Sequence, residues 1–354
     1  MKKTIFSLVA LACAATTTAQ VQSDIRTATL IHGEHTFVYY GATAFADAYT
    51  AAAAAGDVIV LSSGNFNAPD IEKSVAIYGA GYETDPISGA GPTTIRNILI
   101  RAKRDYDSDG NIIEIYPTVD LEGLCLNGHV RIENSSNDTI IADLTVKKCR
   151  LLGGISFNAR SRNCKFSQCV IGTIGNQTSS VYSVGLTKKQ EQLNFENCWI
   201  DIAAGSSLAS TITYNHCIIK SFSNGSYANS YAHVTNSIVN STLYDNCTAT
   251  NNIFTTSTIG TNVTGAGNWT GVAVASIFID AEQGFAYSAT NDFALCVPEI
   301  YRGTDGTEVG INGGIAPFHR ISSLPRILSS DIDLRTTEDG KLNVSIQVQA
   351  QTGK

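Results

Sequence analysis

Apolar and polar residues alternate in short runs through the middle of the chain. One eight-position pattern recurs there without a gap: apolar, any, apolar, any, bend residue, small residue, any, apolar. Its clearest copies are Leu144 to Leu151 (LTVKKCRL), Cys164 to Ile171 (CKFSQCVI), Leu193 to Ile200 (LNFENCWI), Ile212 to Ile219 (ITYNHCII) and Ala232 to Val239 (AHVTNSIV). A period of two is that of a β-strand, whose successive side chains point to opposite faces. The small residues Cys149, Cys169, Cys198, Cys217 and Ser237 follow one another at 20, 29, 19 and 20 residues, and an earlier copy lies around Leu124.

A period of about 20 residues built from short strands predicts a solenoid, because one turn of chain cannot bury its apolar face until another stacks on it. The expected fold is all-β: a right-handed parallel β-helix, the hand being that of parallel crossovers generally. Alternation sends Val146, Phe166, Phe195, Tyr214 and Val234 inward as one column, and Leu151, Ile171, Ile200, Ile219 and Val239 as another. The four cysteines and Ser237 form a third. Lys148, Gln168, Asn197, His216 and Asn236 fall at a bend, where left-handed backbone suits asparagine. The competing all-β arrangement, a sandwich or jelly roll, needs hairpins between neighbouring strands. The strong hairpin signal is Asp107-Ser108-Asp109-Gly110, between NILIRAKR and NIIEIY, which reads as an excursion from one coil.

With these residues in view, the chain resembles the pectate-lyase-like right-handed parallel β-helix superfamily. Ala44 to Tyr49 and Ala51 to Ala55, followed by Gly56 to Leu61 and Gly64-Asn65-Phe66, look like that superfamily's short N-terminal capping helix and first coil. Lys73 to Gly81 looks like the second coil, and Gly303 to Gly314 (GTDGTEVGINGG) like a last coil found in exported Bacteroidetes relatives. The resemblance covers about residues 37 to 318. It implies a fold; relatives that cleave acidic polysaccharides use clustered Asp with calcium and an Arg or Lys base, and that set is not found here. After Val239 the rhythm turns irregular, because Cys247 follows Ser237 by only 10 residues and 255 to 267 is rich in Thr, Asn and Gly, so narrow coils or loops are expected.

The opening residues set the compartment. Lys2 and Lys3 precede a mostly apolar stretch, Ile5 to Ala15, and Thr17-Thr18-Ala19 resembles a cleavage site, the layout of a signal peptide. A membrane anchor needs a longer apolar run, and the residues before Cys13 fit a lipoprotein signal poorly. The expected organisation is a signal peptide over 1–19, the β-helix over 20–318, and a linker with a C-terminal strand over 319–354. Export to the periplasm, cell surface or medium follows. No transmembrane segment is expected after the signal, and a net charge of −7 with only short basic runs argues against nucleic acid as partner.

Chemistry is sparser than fold. Asp105, Asp107 and Asp109 alternate before Gly110, a spacing that lets an oxygen-rich loop wrap calcium; a plain Asp-Gly turn explains the same letters, so the cofactor expectation is none, or calcium at these three. Glu196 and Asp201 flank one bend as an acid pair, and the six histidines lack metal-ligand spacing. The cysteines read either as buried thiols or as disulfides between stacked coils. Arg150, Val170, Trp199, Ile218 and Ile238 point outward as an unexpectedly apolar column. Either chain covers it (Leu342 to Val348, or the insertion between Cys169 and Cys198), or a partner does, with Trp199 a stacking surface for sugar. The sequence names no catalytic residue. Two functions stand: a glycan- or protein-binding scaffold of the cell envelope, its partner a polysaccharide or an envelope protein, and a polysaccharide lyase or glycoside hydrolase.

Overall fold

The computed structural model describes residues 26–53, 55–86, 89–133, 140–178, 181–184, 186, 188–206, 208–223, 230–280, 282–332, 339–341 and 344–349. The expected signal peptide and its Cys13 lie outside them. The protein is nearly all β, and its strands form two long sheets of thirteen strands each, parallel for most of their length, in a solenoid-like succession. Each repeat contributes one strand to each sheet. Leu144–Lys147, Arg160–Ser167, Gln190–Glu196, Ile212–Asn215 and His233–Thr235 are consecutive in the first; Arg150–Leu151, Val170–Thr178, Trp199–Ala204, Ile218–Ser223 and Ile238–Val239 are consecutive in the second.

Between the two strands of each copy stands the predicted bend residue. Lys148, Gln168, Asn197, His216 and Asn236 all have φ between 48° and 54°, the left-handed region that costs a residue with a Cβ about 1–2 kcal/mol. The chain accepts that cost at these five coils, and uses Gly123 and Gly267 at two other bends, because one residue there turns the strand direction while leaving both flanking strands in register. Val146, Phe166, Phe195, Tyr214 and Val234 are register partners in sequence and none is exposed. Phe166, Phe195 and Tyr214 stack with ring centroids 5.1 and 4.9 Å apart.

Cys149, Cys169, Cys198, Cys217 and Ser237 are likewise fully buried. The thiols are free, and each donates to the carbonyl two residues before it, at 3.2 to 3.4 Å, so the weak S–H donor is satisfied within its own bend. Burial pushes the Cys149, Cys169 and Cys198 thiols well up. Of the two readings of the cysteines, packing is the one observed.

The coils do not lapse after Val239. Thr248–Thr250 and Thr264–Ala266 extend the first sheet, and Ile253–Phe254 the second. Cys247 is therefore not the small inward residue; Asn252 and then Asn268 hold that place. Ser237 N–H donates to the Asn252 side-chain oxygen (2.8 Å), and Asn252 N–H to that of Asn268 (3.1 Å). Their amide groups donate to Val234 and Ala249 carbonyls. An amide ladder thus replaces the thiol column, meeting at 2.8 and 2.9 Å the kind of carbonyl that Cys169, Cys198 and Cys217 reach at 3.4 to 3.5 Å on the preceding coil.

At the opening end, the helix Ala44–Ala51 buries Phe45, Ala48 and Tyr49 against the first coils. Lys73 Nζ donates to the carbonyls of Tyr49, Thr50 and Ala52, placing a cation on the helix C-terminus, where carbonyls lack intrahelical partners. The Lys103–Tyr106 and Ile112–Ile115 strands form the expected hairpin as a separate two-stranded sheet. Arg326–Ile332 and Val344–Gln349 form another.

Candidate binding groove beneath the C-terminal strap

The bend residues do more than turn the chain. Their side chains point away from the core and meet one segment, residues 302–323, which runs back along the solenoid from late coils to early ones. Asn251 Nδ2 donates to Arg302 O, and Asn236 exchanges hydrogen bonds with Thr304 through both its amide and its carbonyl oxygen. His216 Nε2 lies 2.9 Å from Asp305 Oδ2. Asn197 Nδ2 donates to Ile311 and Gly313 carbonyls (2.9 and 2.8 Å), Gln168 Nε2 to those of Ala316 and Pro317, and Lys148 Nζ to Ser323 Oγ. Beyond them Ser322 Oγ donates to Gly79 O, and Ser323 N–H to Glu122.

Gly303 to Gly314 is therefore this strap and not a last coil: it crosses coils instead of forming one, and no named strand falls within it. Two of its glycines allow the close crossing: a Cβ on Gly310 would stand 2.7 Å from Ile238 Cδ1, and one on Gly313 2.6 Å from His216 Nδ1. The 320–325 stretch, expected as a linker, is held at Ser322, which is buried.

The apolar outer column is covered by the chain itself. Val170, Trp199, Ile218 and Ile238 are buried in a second cluster with Ile277, Phe278, Phe285, Phe293, Leu295, Val309 and Ile311. The cover is thus the stretch from 277 to 311. It is neither of the expected segments: Val344, Ile346 and Val348 are exposed, and among the described residues between Cys169 and Cys198 only Val170, itself one of the column, belongs to the cluster. Trp199 is 6% exposed, its ring 5.6 Å from that of Tyr287, so its face meets protein where a stacked sugar was considered.

Where the strap passes the early coils it walls a cleft of about 940 Å³, lined among others by Tyr82, Glu83, Cys125, Arg150, Phe318 and Arg320. Tyr287 stands beside it, donating its hydroxyl to Glu83 Oε1 at 2.7 Å, with the Arg150 and Arg320 guanidinium groups 5.4 and 5.8 Å from its ring centre. Burial drives the Tyr82 and Tyr287 hydroxyls far up, and the Cys125 thiol up as well, so all three are neutral at pH 7. A second groove of about 690 Å³, lined by Asp70, Arg96, Asn97, His129 and Arg131, meets the first at Asn127, which lines both. Burial, and then Arg131, lower the His129 pKa, so it too is neutral.

The cations are the distinctive feature. Arg101, Arg104, Arg160 and Arg162 pair with carboxylates. Among the described residues, Arg96, Arg131, Arg150, Arg302 and Arg320 have no such partner, and all of these but Arg302 line these two grooves. They come from positions far apart in sequence, which is why no basic run announced them.

Elsewhere the residues singled out in the sequence have partners within the protein. Asp107 accepts from the backbone N–H of Asp109 and Asn111 and from the Asn111 amide; the Asn111 bonds hold its carboxyl below the usual range. Asp105 accepts from Tyr106 N–H. The Asp107 side chain thus closes the hairpin turn that Asp105 and Asp109 flank; among the described residues no group of three or more His, Cys, Asp or Glu is placed to hold a metal. Glu196 and Asp201 pair with Lys165 and Lys220 on neighbouring coils, both at 2.7 Å. No helix is long and apolar enough to cross a membrane among the described residues.

Comparison with known proteins adds no identity: no family model, curated protein or solved structure matches the chain.

Proposed function

We propose that the chain is an exported, right-handed parallel β-helix that binds an acidic glycan of the cell envelope along the joined grooves without turning it over. The supporting observation is the set Arg96, Arg131, Arg150 and Arg320, four guanidinium groups without carboxylate partners in a protein of net charge −7. Arginine presents a planar fork matched to carboxylate oxygens; Asp70, Glu83, Asp85 and Asp292 line the same grooves, but none of them is in a direct ion pair with these four arginines, whose forks remain open to an anionic ligand. Between the arginines, Asn97, Asn127 and Asn312 offer amides for hydroxyls, and Phe318 and Pro92 offer apolar surface for sugar rings.

The test is electrophoresis of the native protein through gels containing polygalacturonate, alginate or neutral dextran. Retardation by an acidic polymer, absent in dextran and reduced in Arg131→Ala and Arg150→Ala, is expected. Equal mobility in all three gels contradicts the reading. New ultraviolet absorbance or reducing ends on incubation with the same polymers would assign turnover instead.

A further inference from the structure

We infer that strap 302–323 docks on the finished coils as a unit of its own, and that its docking completes the binding groove. The groove clause rests on the function proposed above; the docking clause does not. The ties are one per coil and side chain to strap: Lys148, Gln168, Asn197, His216, Asn236 and Asn251 each contribute. The coils hold one another by backbone ladders in which the strap takes no part. Removing the strap therefore breaks these side-chain hydrogen bonds and one backbone bond, Gly310 N–H to Asn236 O, and uncovers part of the outer cluster, while Phe166, Phe195, Tyr214 and the thiol column belong to the inner cluster, which holds no strap residue.

Loss of the strap would also open the groove, because Phe318, Arg320 and Ser322 line it. Arg320 is held in place by donating to the carbonyls of Ser288 and Ala289. The strap thus brings one of the four arginines and one wall. Segments outside the strand ladders open locally at lower free energy than the ladders themselves, and this segment is held by buried side-chain bonds at the bend column and by Val309 and Ile311 in the outer cluster, not by sheet pairing.

The bend residues permit a clean test. Asn197 has φ of 49°, which glycine adopts freely, so Asn197→Gly keeps the bend and removes only the two hydrogen bonds to the strap. Asn236→Gly (φ 51°) removes the two bonds to Thr304 two coils later, together with the Asn236 contacts to Asn215 and His216, and guards against a local accident at Asn197. The measurement is amide hydrogen exchange of the full chain, comparing Val309, Gly310 and Phe318 in the strap with Trp199, Ile218 and Ile238 in the second sheet. In the wild type the strap amides exchange faster than the coil amides. In either variant the strap amides quicken roughly tenfold, the scale of one or two lost hydrogen bonds, while the coil amides hold. Strap and coil amides exchanging together, or quickening equally in the variants, overturn the docking unit. Polygalacturonate is then added: slower strap exchange supports the groove clause, whereas separate strap exchange that the polymer leaves unchanged sustains the docking unit and removes the groove clause.

Discussion

Phe195 lies on Tyr214 with ring centres 4.9 Å apart and planes 10° from parallel, one coil above the other. Offset ring contact adds about 0.5–1.5 kcal/mol to area burial, and Phe195 also meets Phe166 on its other side. Phe195→Ala is expected to destabilise by about 3–5 kcal/mol, as for a large aromatic cavity, whereas Cys198→Ala, one small buried group nearby, costs about 1 kcal/mol. Denaturant melts give both; equal losses would contradict the stacked column.

Thiol labelling separates the cysteines. Cys296 is exposed, while Cys149, Cys169, Cys198 and Cys217 are buried, with the thiol pKa raised at the first three. Since the thiolate is the reactive form, a mild alkylating reagent is expected to mark Cys296 in the native protein and those four only after unfolding. Mass spectrometry showing early modification within that column would place it outside the core.

The strap carries a pH dependence of defined sign. Burial raises the Asp305 carboxyl, but hydrogen bonds from Thr307 and the contact with His216 outweigh it and hold the folded pKa below 3.8. Its contribution is therefore complete above the unfolded pKa and lost as pH falls through the folded one. Glu308 acts oppositely: burial raises it, so it favours the folded state below its unfolded pKa and loses that contribution as pH rises through the folded value. Asp305→Asn is expected to flatten the loss of strap protection below about pH 4, measured by exchange, and an unchanged acid limb would show that Asp305 is not responsible.

The hairpin makes a prediction about metal. The Asp107 carboxylate is engaged by its own turn, so calorimetric titration with calcium is expected to show no micromolar binding. Such binding, lost in Asp107→Asn, would restore Asp105, Asp107 and Asp109 as a calcium loop.

Much of the fold was legible because it rests on local rules. Alternation fixed the inward columns from Val146 to Val239, and the left-handed bend showed through Asn197 and Asn236, residue types that tolerate it. Asn252 and Asn268 carry no such signal, because the inward position changes chemistry from thiol to amide there while Cys247 stands off that column. The groove was not legible. Arg96, Arg131, Arg150 and Arg320 are isolated letters until the coils bring them together, and the strap is recognised largely through its backbone carbonyls, which no side-chain pattern records. The apolar column around Ile218 was read correctly as needing cover; the covering residues, such as Phe278 and Phe293, lie where no strand rhythm pointed to them.

The most direct test of the account is calorimetric titration of the whole protein with a uronate oligosaccharide at increasing salt. The account predicts binding that weakens as salt rises, because it depends on charge, and that is lost when Arg131 and Arg150 are both replaced by alanine in a protein whose melt is unchanged. No binding at low salt, or binding indifferent to salt and to both arginines, would contradict it.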